Sequence, residues 1–369
     1  MAKTALKGEE LYTASQWRLM RIRFKKHRIA VVGGAVIIFF YFVAAFCEFV
    51  APYDPYKRSV EYAACPPMRV RFWDRDGNRF HLRPFVYDVV LQKDPVTLQR
   101  LYSADTTQRY PLRFFVKGDE YKFWGLFRTR LHLFGTEGQQ RAFLFGTDAQ
   151  GRDLLSRIIY GARISLSIGF VGVVLSFTLG IMLGAISGYF GGTVDVIIQR
   201  VIEIIMAIPG LPLWMALSAA IPLHWPMVRV FFLITVILSL LSWTGMARVV
   251  RGKLLSLRGE EFVLAAMVDG AGGARIMYRH LLPSFLSHII ASATLSIPGM
   301  ILGETALSFL GIGLRPPAIS WGVLLQDAQS IHAVVIMPWL LIPGLFVVVI
   351  VLAFNFAGDG LRDAADPYA

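Results

Sequence analysis

The chain has 369 residues, of which 55% are hydrophobic and only 17% charged. Soluble domains carry about 25% charged residues, so this composition excludes an ordinary soluble protein and points to a membrane protein. The net charge of +12 does not read as nucleic-acid binding, because the basic residues gather beside apolar segments, where they orient membrane spans. Two cysteines, Cys47 and Cys65, make no disulfide framework. A bond between them is open outside the cytoplasm, but two unpaired small residues are the simpler reading. No G-x-x-x-x-G-K-[ST] pattern occurs, so this chain is not expected to bind ATP itself.

Residues 1–28 form a polar arm that ends in a basic run from Arg18 to Arg28, with Trp17 and Phe24 suited to a lipid interface. The arm reads as a cytoplasmic amphipathic helix lying on the membrane, or as a plain topological anchor. Residues 29–50 are the first span. Their apolar run exceeds the roughly 7–15 residues of a signal-peptide core, and the positive charge ahead of them keeps the N-terminus inside.

Residues 51–145 are the soluble-looking part. Segments 68–73 and 79–82 alternate around D-R-D-G-N, which predicts a turn at Asp76-Gly77. Segments 111–116 and 121–124 flank Lys117-Gly118-Asp119-Glu120, which predicts a second hairpin turning there. A small β-containing insert outside the cytoplasm is expected. It serves either as a docking platform for an outside partner or as a spacer packed on the membrane part.

At 145–157 the chain reads F-G-T-D-A-Q-G-R-D-L-L-S-R. This predicts a turn at Gly146-Thr147-Asp148 and then an interfacial helix, with Arg152, Arg157 and Arg163 snorkelling to water. The spacing of Asp148 and Asp153 misses an EF-hand loop. Residues 164–190 are the second span, where Gly180, Gly184 and Gly188 at spacings of four allow close helix approach. The third span, roughly 194–221, carries Arg200 and Glu203 at a pairing distance and is broken or kinked by Pro209 and Pro212. The fourth, 228–246, leads into Arg248, Arg251 and Lys253, which place the following loop inside.

That loop, from Gly259 to Pro283, is the longest polar interruption in this part of the chain. Phe262, Ala265, Ala266 and Asp269 recur at helical spacing, and Gly270 suits a left-handed helix stop. A second helical run over 274–282 puts Arg275 and Arg279 on one face. Pro283 then opens a new apolar segment, where its missing N–H costs least.

The fifth span, 285–312, contains Glu304. An ionisable residue there faces a bundle interior or a wet cavity, either near a translocation path or as a structural hydrogen-bond partner. Residues 313–335 hold the turn chemistry of Pro316-Pro317 and Ser320-Trp321-Gly322, with a short helix expected over 325–330. Residues 336–356 are the last span. The seven histidines are scattered and read as structural.

Ala265-Ala266, three residues, Gly270, then Leu282-Pro283 resembles the EAA loop of bacterial ABC importer permeases. Leu264 stands where the name-giving Glu would be, and His280 replaces a usual apolar residue. The stretch G-T-D-A-Q-G-R-D-L-L-S-R, the G-E-T-A-L-S-F-L-G-I-G around Glu304 and the tail F-N-F-A-G-D-G-L-R-D-A-A-D-P resemble C-type subunits of the dipeptide/oligopeptide branch. The resemblance covers most of residues 1–50 and 140–369. It implies an all-α integral membrane permease of six transmembrane helices in a bacterial inner membrane, both termini cytoplasmic, with the β-containing periplasmic insert between the first two helices. By that resemblance Glu261, Phe262, Ala265, Ala266, Met267, Gly270, Arg275, Arg279 and Pro283 couple to an ATPase, with Phe262, Val263 and Met267 as apolar anchors. The implied partners are a homologous second permease, two ATPase subunits or domains carrying ATP and Mg, a solute-binding protein outside, and membrane lipid. No cofactor or catalytic site is expected in this chain. Another class of function, an ion-coupled secondary transporter using Glu203 and Glu304 as proton sites, leaves the loop unexplained. A bare membrane anchor is a third.

Overall fold

The computed structural model describes residues 16–73, 80–93, 95, 100–138 and 140–365; the expected turn at Asp76-Gly77 lies outside them. In chain order come α1 (Gln16–Lys26), α2 (Arg28–Ala45), α3 (Cys47–Val50) and five strands, β1 (Arg71–Trp73), β2 (Phe80–Lys93), β3 (Arg100–Pro111), β4 (Arg113–Phe123) and β5 (Phe127–Gly135). Then follow α4 (Leu154–Phe190), α5 (Gly192–Ala207), α6 (Gly210–Ala219), α7 (Met227–Leu257) and α8 (Glu261–Val268). After α9 (Gly273–Arg275), a π-turn (Ile276–Leu281) and α10 (Leu282–Ser284), the chain ends with α11 (Leu286–Phe309), α12 (Trp321–Gln326), α13 (Ile331–Ile336) and α14 (Ile342–Ala365).

Among the described residues, five helices are long and apolar enough to cross a membrane, and a bent pair makes a sixth if counted as one span. The pair is α5 and α6, which meet at 84°. The cause is local. Pro209 pushes the residue before it out of helical geometry, and Ile208 is extended at φ −88, ψ 129. Pro212 lies in the first turn of α6, where a missing N–H is harmless.

The chain divides into two compact units. The first holds the described residues up to Ile38, Ile168–Glu304 and those from Val349 onward. In it the small-residue stripe of α4 lies against α7. A Cβ at Gly180 would sit 2.7 Å from the Trp243 carbonyl, at Gly184 2.4 Å from the Ala247 carbonyl, and at Gly188 2.9 Å from the Arg251 carbonyl. Only glycine permits that approach. Ile202, Trp243 and Ala247 form the buried core beside it, with Leu179, Leu183 and Ile198 packed around.

The second unit holds Phe39–Ser167 and Thr305–Val348. Strands β1, β2 and β3 form one antiparallel sheet in that order, and β4 pairs with β5. The expected turn at Lys117-Gly118-Asp119-Glu120 is instead a bulge inside β4, where the register shifts between Lys117 and Tyr121. Asp119 is held there by Lys57 Nζ at 2.5 Å, and its carbonyl lies 2.9 Å from His132 Nε2. The hairpin turns later, with Phe123 pairing Phe127 across residues 124–126. Cys65, Met68, Val86, Tyr110 and Phe143 make one core. Ala328, Met337 and Leu340 make another, with Ala64 and Trp339 against it. The insert is therefore packed onto the segment before the last span. Cys47 and Cys65 are both buried and free.

The G-T-D-A-Q-G-R-D stretch is the hub of this unit. Gly146 and Gly151 have φ of +76 and +74, and a Cβ at Gly151 would meet the Ser59 carbonyl at 2.0 Å. Asp148 Oδ1 accepts the N–H groups of Gln150 (2.8 Å) and Arg152 (3.0 Å), and its Oδ2 accepts from Arg152 Nε (2.6 Å) and Arg157 Nη1. Arg157 Nη1 also lies 3.4 Å from Asp327 Oδ2. Arg163 forks onto Glu48 with two bonds of 2.6 Å and donates to the carbonyls of Ala44 and Ala45 at the end of α2. Arg152 and Arg157 thus do not snorkel; they point inward, where a buried charge persists only when paired, whereas the paired Arg163 side chain stays 34% exposed. The expected helix over 325–330 starts earlier, as α12, because Ser320 Oγ caps it by accepting the Val323 N–H at 3.2 Å.

Candidate functional site: the loop between α7 and α11

Helix α8 runs from Glu261 to Val268 and is apolar nearly all round. Val263 and Ala266 are buried within the chain, while Phe262, Leu264 and Met267 are half exposed and Val268 is 87% exposed. Val263 is therefore packed inward and is not an outward anchor, and Ala266 packs inside the chain as well. Ala265 and Glu261 face out. A water-facing helix ordinarily carries polar residues on these positions; here the exposed row is apolar.

Its stop is a Schellman motif. The Gly270 N–H donates to the Met267 carbonyl and the Ala271 N–H to the Ala266 carbonyl, both at 3.0 Å. Gly270 has φ +77, and a Cβ there would meet nothing within 4 Å. The demand for glycine is thus conformational, not spatial. At Gly273 the demand is spatial, since a Cβ would lie 2.7 Å from the Tyr189 ring at the end of α4.

Beyond the turn, Ile276, Met277 and Leu281 are buried, while Arg275, Tyr278, Arg279 and Pro283 are exposed. The expected second helical run is present but widened, because its middle is a π-turn. Pro283 follows it without an N–H to return, and the backbone breaks at Phe285 (φ −125, ψ 23) before α11 begins. Phe262, Met267, Arg275 and Arg279 are thus all exposed, on successive elements of one loop.

The two carboxylates considered for a path have different surroundings. Glu203 is exposed and pairs with Arg200 at 2.8 Å. Glu304 is 0% exposed, so it does not face lipid. Gly303 beside it abuts Leu238 and Trp214. The sequence reading missed one ion pair at the foot of this unit. Arg251 forks onto Asp195 with two bonds of 2.5 Å, and Ser187 Oγ donates to the same carboxylate. Both charges were visible beside span ends, but pairing across 56 positions has no local signal.

A family model described as binding-protein-dependent transport system inner membrane component matches residues 180–368. Another, the N-terminal TM domain of oligopeptide transport permease C, matches residues 15–67. The dipeptide transport system permease protein DppC of Bacillus subtilis is 40% identical over 358 residues, covering 96% of this chain and 86% of that one. That match takes in the β-containing insert. The oligopeptide transport system permease protein OppC of Haemophilus influenzae is 44% identical over 237 residues, or 64% of this chain and 70% of that one. A solved structure, the MetNI methionine ABC transporter in inward-facing conformations, aligns with 56% of this chain and 96% of its own at 20% identity and a TM-score of 0.43.

Proposed function

The chain belongs to the family of binding-protein-dependent transport system inner membrane components, and from that premise we propose that α8 is where ATP hydrolysis on a partner subunit is coupled to movement of a peptide-like solute. The chain is a multi-pass membrane permease subunit of an ABC importer. The observation that carries the coupling role is the exposed apolar row of α8, Phe262, Leu264, Met267 and Val268, next to a turn that only glycine makes without strain.

The elements behind α8 suit the transmission of force. Helix α7 has 31 residues and is about 46 Å long, against roughly 30 Å of hydrocarbon. Arg248, Arg251 and Lys253 keep its C-terminal end in water or headgroups, so that end projects from the membrane and carries α8 with it. The glycine stripe of α4 and the Asp195–Arg251 pair tie α4, α5 and α7 together. A displacement of α8 then moves a packed group of helices and not one flexible loop. Apolar contacts from Phe262 and Met267 supply the docking energy, Ala265 permits close approach, and Glu261, Arg275 and Arg279 steer the encounter.

The loop and both termini face the cytoplasm, where ATP is available, and the insert faces outward. ATP and Mg bind on two ATPase subunits or domains. A homologous permease completes the pathway, and a solute-binding protein delivers a peptide-like solute of the kind named for the relatives. Burial of Glu304 favours its role as a structural partner, and the exposed Glu203–Arg200 pair is no proton relay by itself. The test is uptake into proteoliposomes holding the assembled importer. Uptake should require ATP on the side of α8 and be indifferent to a proton gradient; uptake driven by the gradient without ATP would overturn the reading.

A further inference from the structure

Three large apolar side chains, Trp124, Leu126 and Phe127, are exposed together at the tip of the β4–β5 hairpin. The tip reads Phe123-Trp124-Gly125-Leu126-Phe127, and Trp124 and Gly125 both have positive φ, 50 and 75. That backbone ordinarily carries Asn-Gly or Asp-Gly, because both central residues of such a turn need positive φ, which a bulky ring accepts poorly. Here Leu126 is 82% exposed and Trp124 61%. Such a turn is unsuited to water and suited to an apolar medium.

The hairpin's position says which medium. Trp124 Nε1 donates to the Ala45 carbonyl, the last residue of α2, at 2.8 Å. A ladder of rings runs from α2 onto the tip, with Phe42 to Phe46 at 4.7 Å, Phe46 to Phe123 at 5.9 Å and Phe123 to Phe127 at 5.4 Å. On α2 the same row begins at exposed Phe39 and Phe42, so the surface of the first span continues without a break onto the hairpin. Helix α2 has 18 residues, about 27 Å, and falls about 3 Å short of a typical hydrocarbon core. The tip extends the apolar surface where the helix stops. Charge marks the boundary. The Arg163 guanidinium lies 5.6 Å from the Trp124 ring centroid, and Arg128 and Arg130, exposed though both near Glu120 at 3.5 and 3.0 Å, follow directly on β5. An aromatic band beside arginines is the pattern of a membrane–water interface.

We infer that the β4–β5 tip is a lipid anchor. Trp124, Leu126 and Phe127 enter the leaflet at the C-terminal end of α2, and Arg128 and Arg130 meet phospholipid headgroups. The insert is then held by the membrane as well as by its protein contacts.

The test uses the full chain with its accompanying subunits in phospholipid nanodiscs. A nitroxide spin label is placed at Leu126→Cys and, separately, at Phe39→Cys in the first span and Leu82→Cys on β2. Cys47 and Cys65 are fully buried, and the unsubstituted chain reports any background labelling. Collision with oxygen, which concentrates in lipid, is compared with collision with a water-soluble nickel chelate. Position 126 should match position 39, with oxygen favoured, and differ from position 82, with the chelate favoured. A label at 126 that behaves like the one at 82 would overturn the anchor, and so would one shielded from both reagents, which means protein covers the tip. If position 39 itself favours the chelate, the first span is misassigned and the anchor falls with it.

Discussion

The packing of α4 on α7 can be isolated by one substitution made at two glycines. A Cβ at Gly184 would lie 2.4 Å from the Ala247 carbonyl oxygen and 2.9 Å from its Cα, where ordinary contact starts at 3.4 Å. Relief requires the helices to separate by about 1.0 Å (3.4 − 2.4). The atoms met are backbone, so no side chain can rotate away. Contacts at Gly180 and Gly188, one turn to either side, resist the shift. Overpacking of this kind costs roughly 1–3 kcal/mol. Gly245, within α7, has nothing within 4 Å of its would-be Cβ. Gly→Ala in a helix gains about 1 kcal/mol in either place, so that gain cancels in the difference. Gly184→Ala should therefore be less stable than Gly245→Ala by roughly 1–3 kcal/mol. The assay is reversible SDS denaturation of the isolated chain in mixed micelles, which leaves partner contacts out of the comparison. Equal stabilities, within the roughly 0.3–0.5 kcal/mol over which independent sites add, would show that α4 and α7 do not approach as described.

Two further outcomes concern buried carboxylates. Burial pushes the Asp153 carboxyl up from 3.8 to about 6, against hydrogen bonds from Ser156 that favour the charged form. Its Oδ1 has no hydrogen-bond partner among the described residues. The folded chain thus holds this proton to a higher pH than the unfolded chain, so the resulting stability is complete below about 3.8 and lost as pH rises through about 6. Relative to Asp153→Asn, the wild-type melting temperature should fall across that window; parallel curves would refute the assignment. Glu304→Gln keeps hydrogen-bonding capacity while removing charge. Transport should survive Glu304→Gln and fail, with lower stability, for Glu304→Leu; failure of both with folding intact would give the charge itself a role.

Span positions, the break at Pro209 and the glycine stripe were legible because each follows from local chemistry: apolar runs, a ring without an N–H, small residues at spacings of four. Gly270 was legible for the same reason. The second hairpin was misplaced because Gly118-Asp119 looks like turn chemistry, and only its tertiary partners Lys57 and His132 show it to be a bulge. Arg152 and Arg157 looked like interfacial charges. Their inward direction depends on Asp148 and, for Arg157, on Asp327, 170 positions away. On α8 the apolar pattern runs all round, so periodicity could not say that Val263 and Ala266 face inward while Phe262 and Met267 face out. That correction changes what substitutions report. Ala266→Trp disturbs the chain's own packing, so it is a poor probe of docking.

The proposed docking of the exposed α8 row on an ATPase subunit is open to a direct test by charge. Phe262→Asp with Met267→Asp places two charges on that row without touching buried Val263 or Ala266. Docking anchors of this kind are worth about 2 kcal/mol or more each, so together they should weaken the complex by roughly 700-fold or more. The decisive measurement is the amount of ATPase that co-purifies with the variant, normalised to permease in the membrane, with Leu223→Asp as the exposed control. Wild-type insertion is expected, with loss of the ATPase from the α8 variant and its retention by the control. Wild-type amounts of ATPase on the α8 variant, with transport unchanged, would contradict the docking.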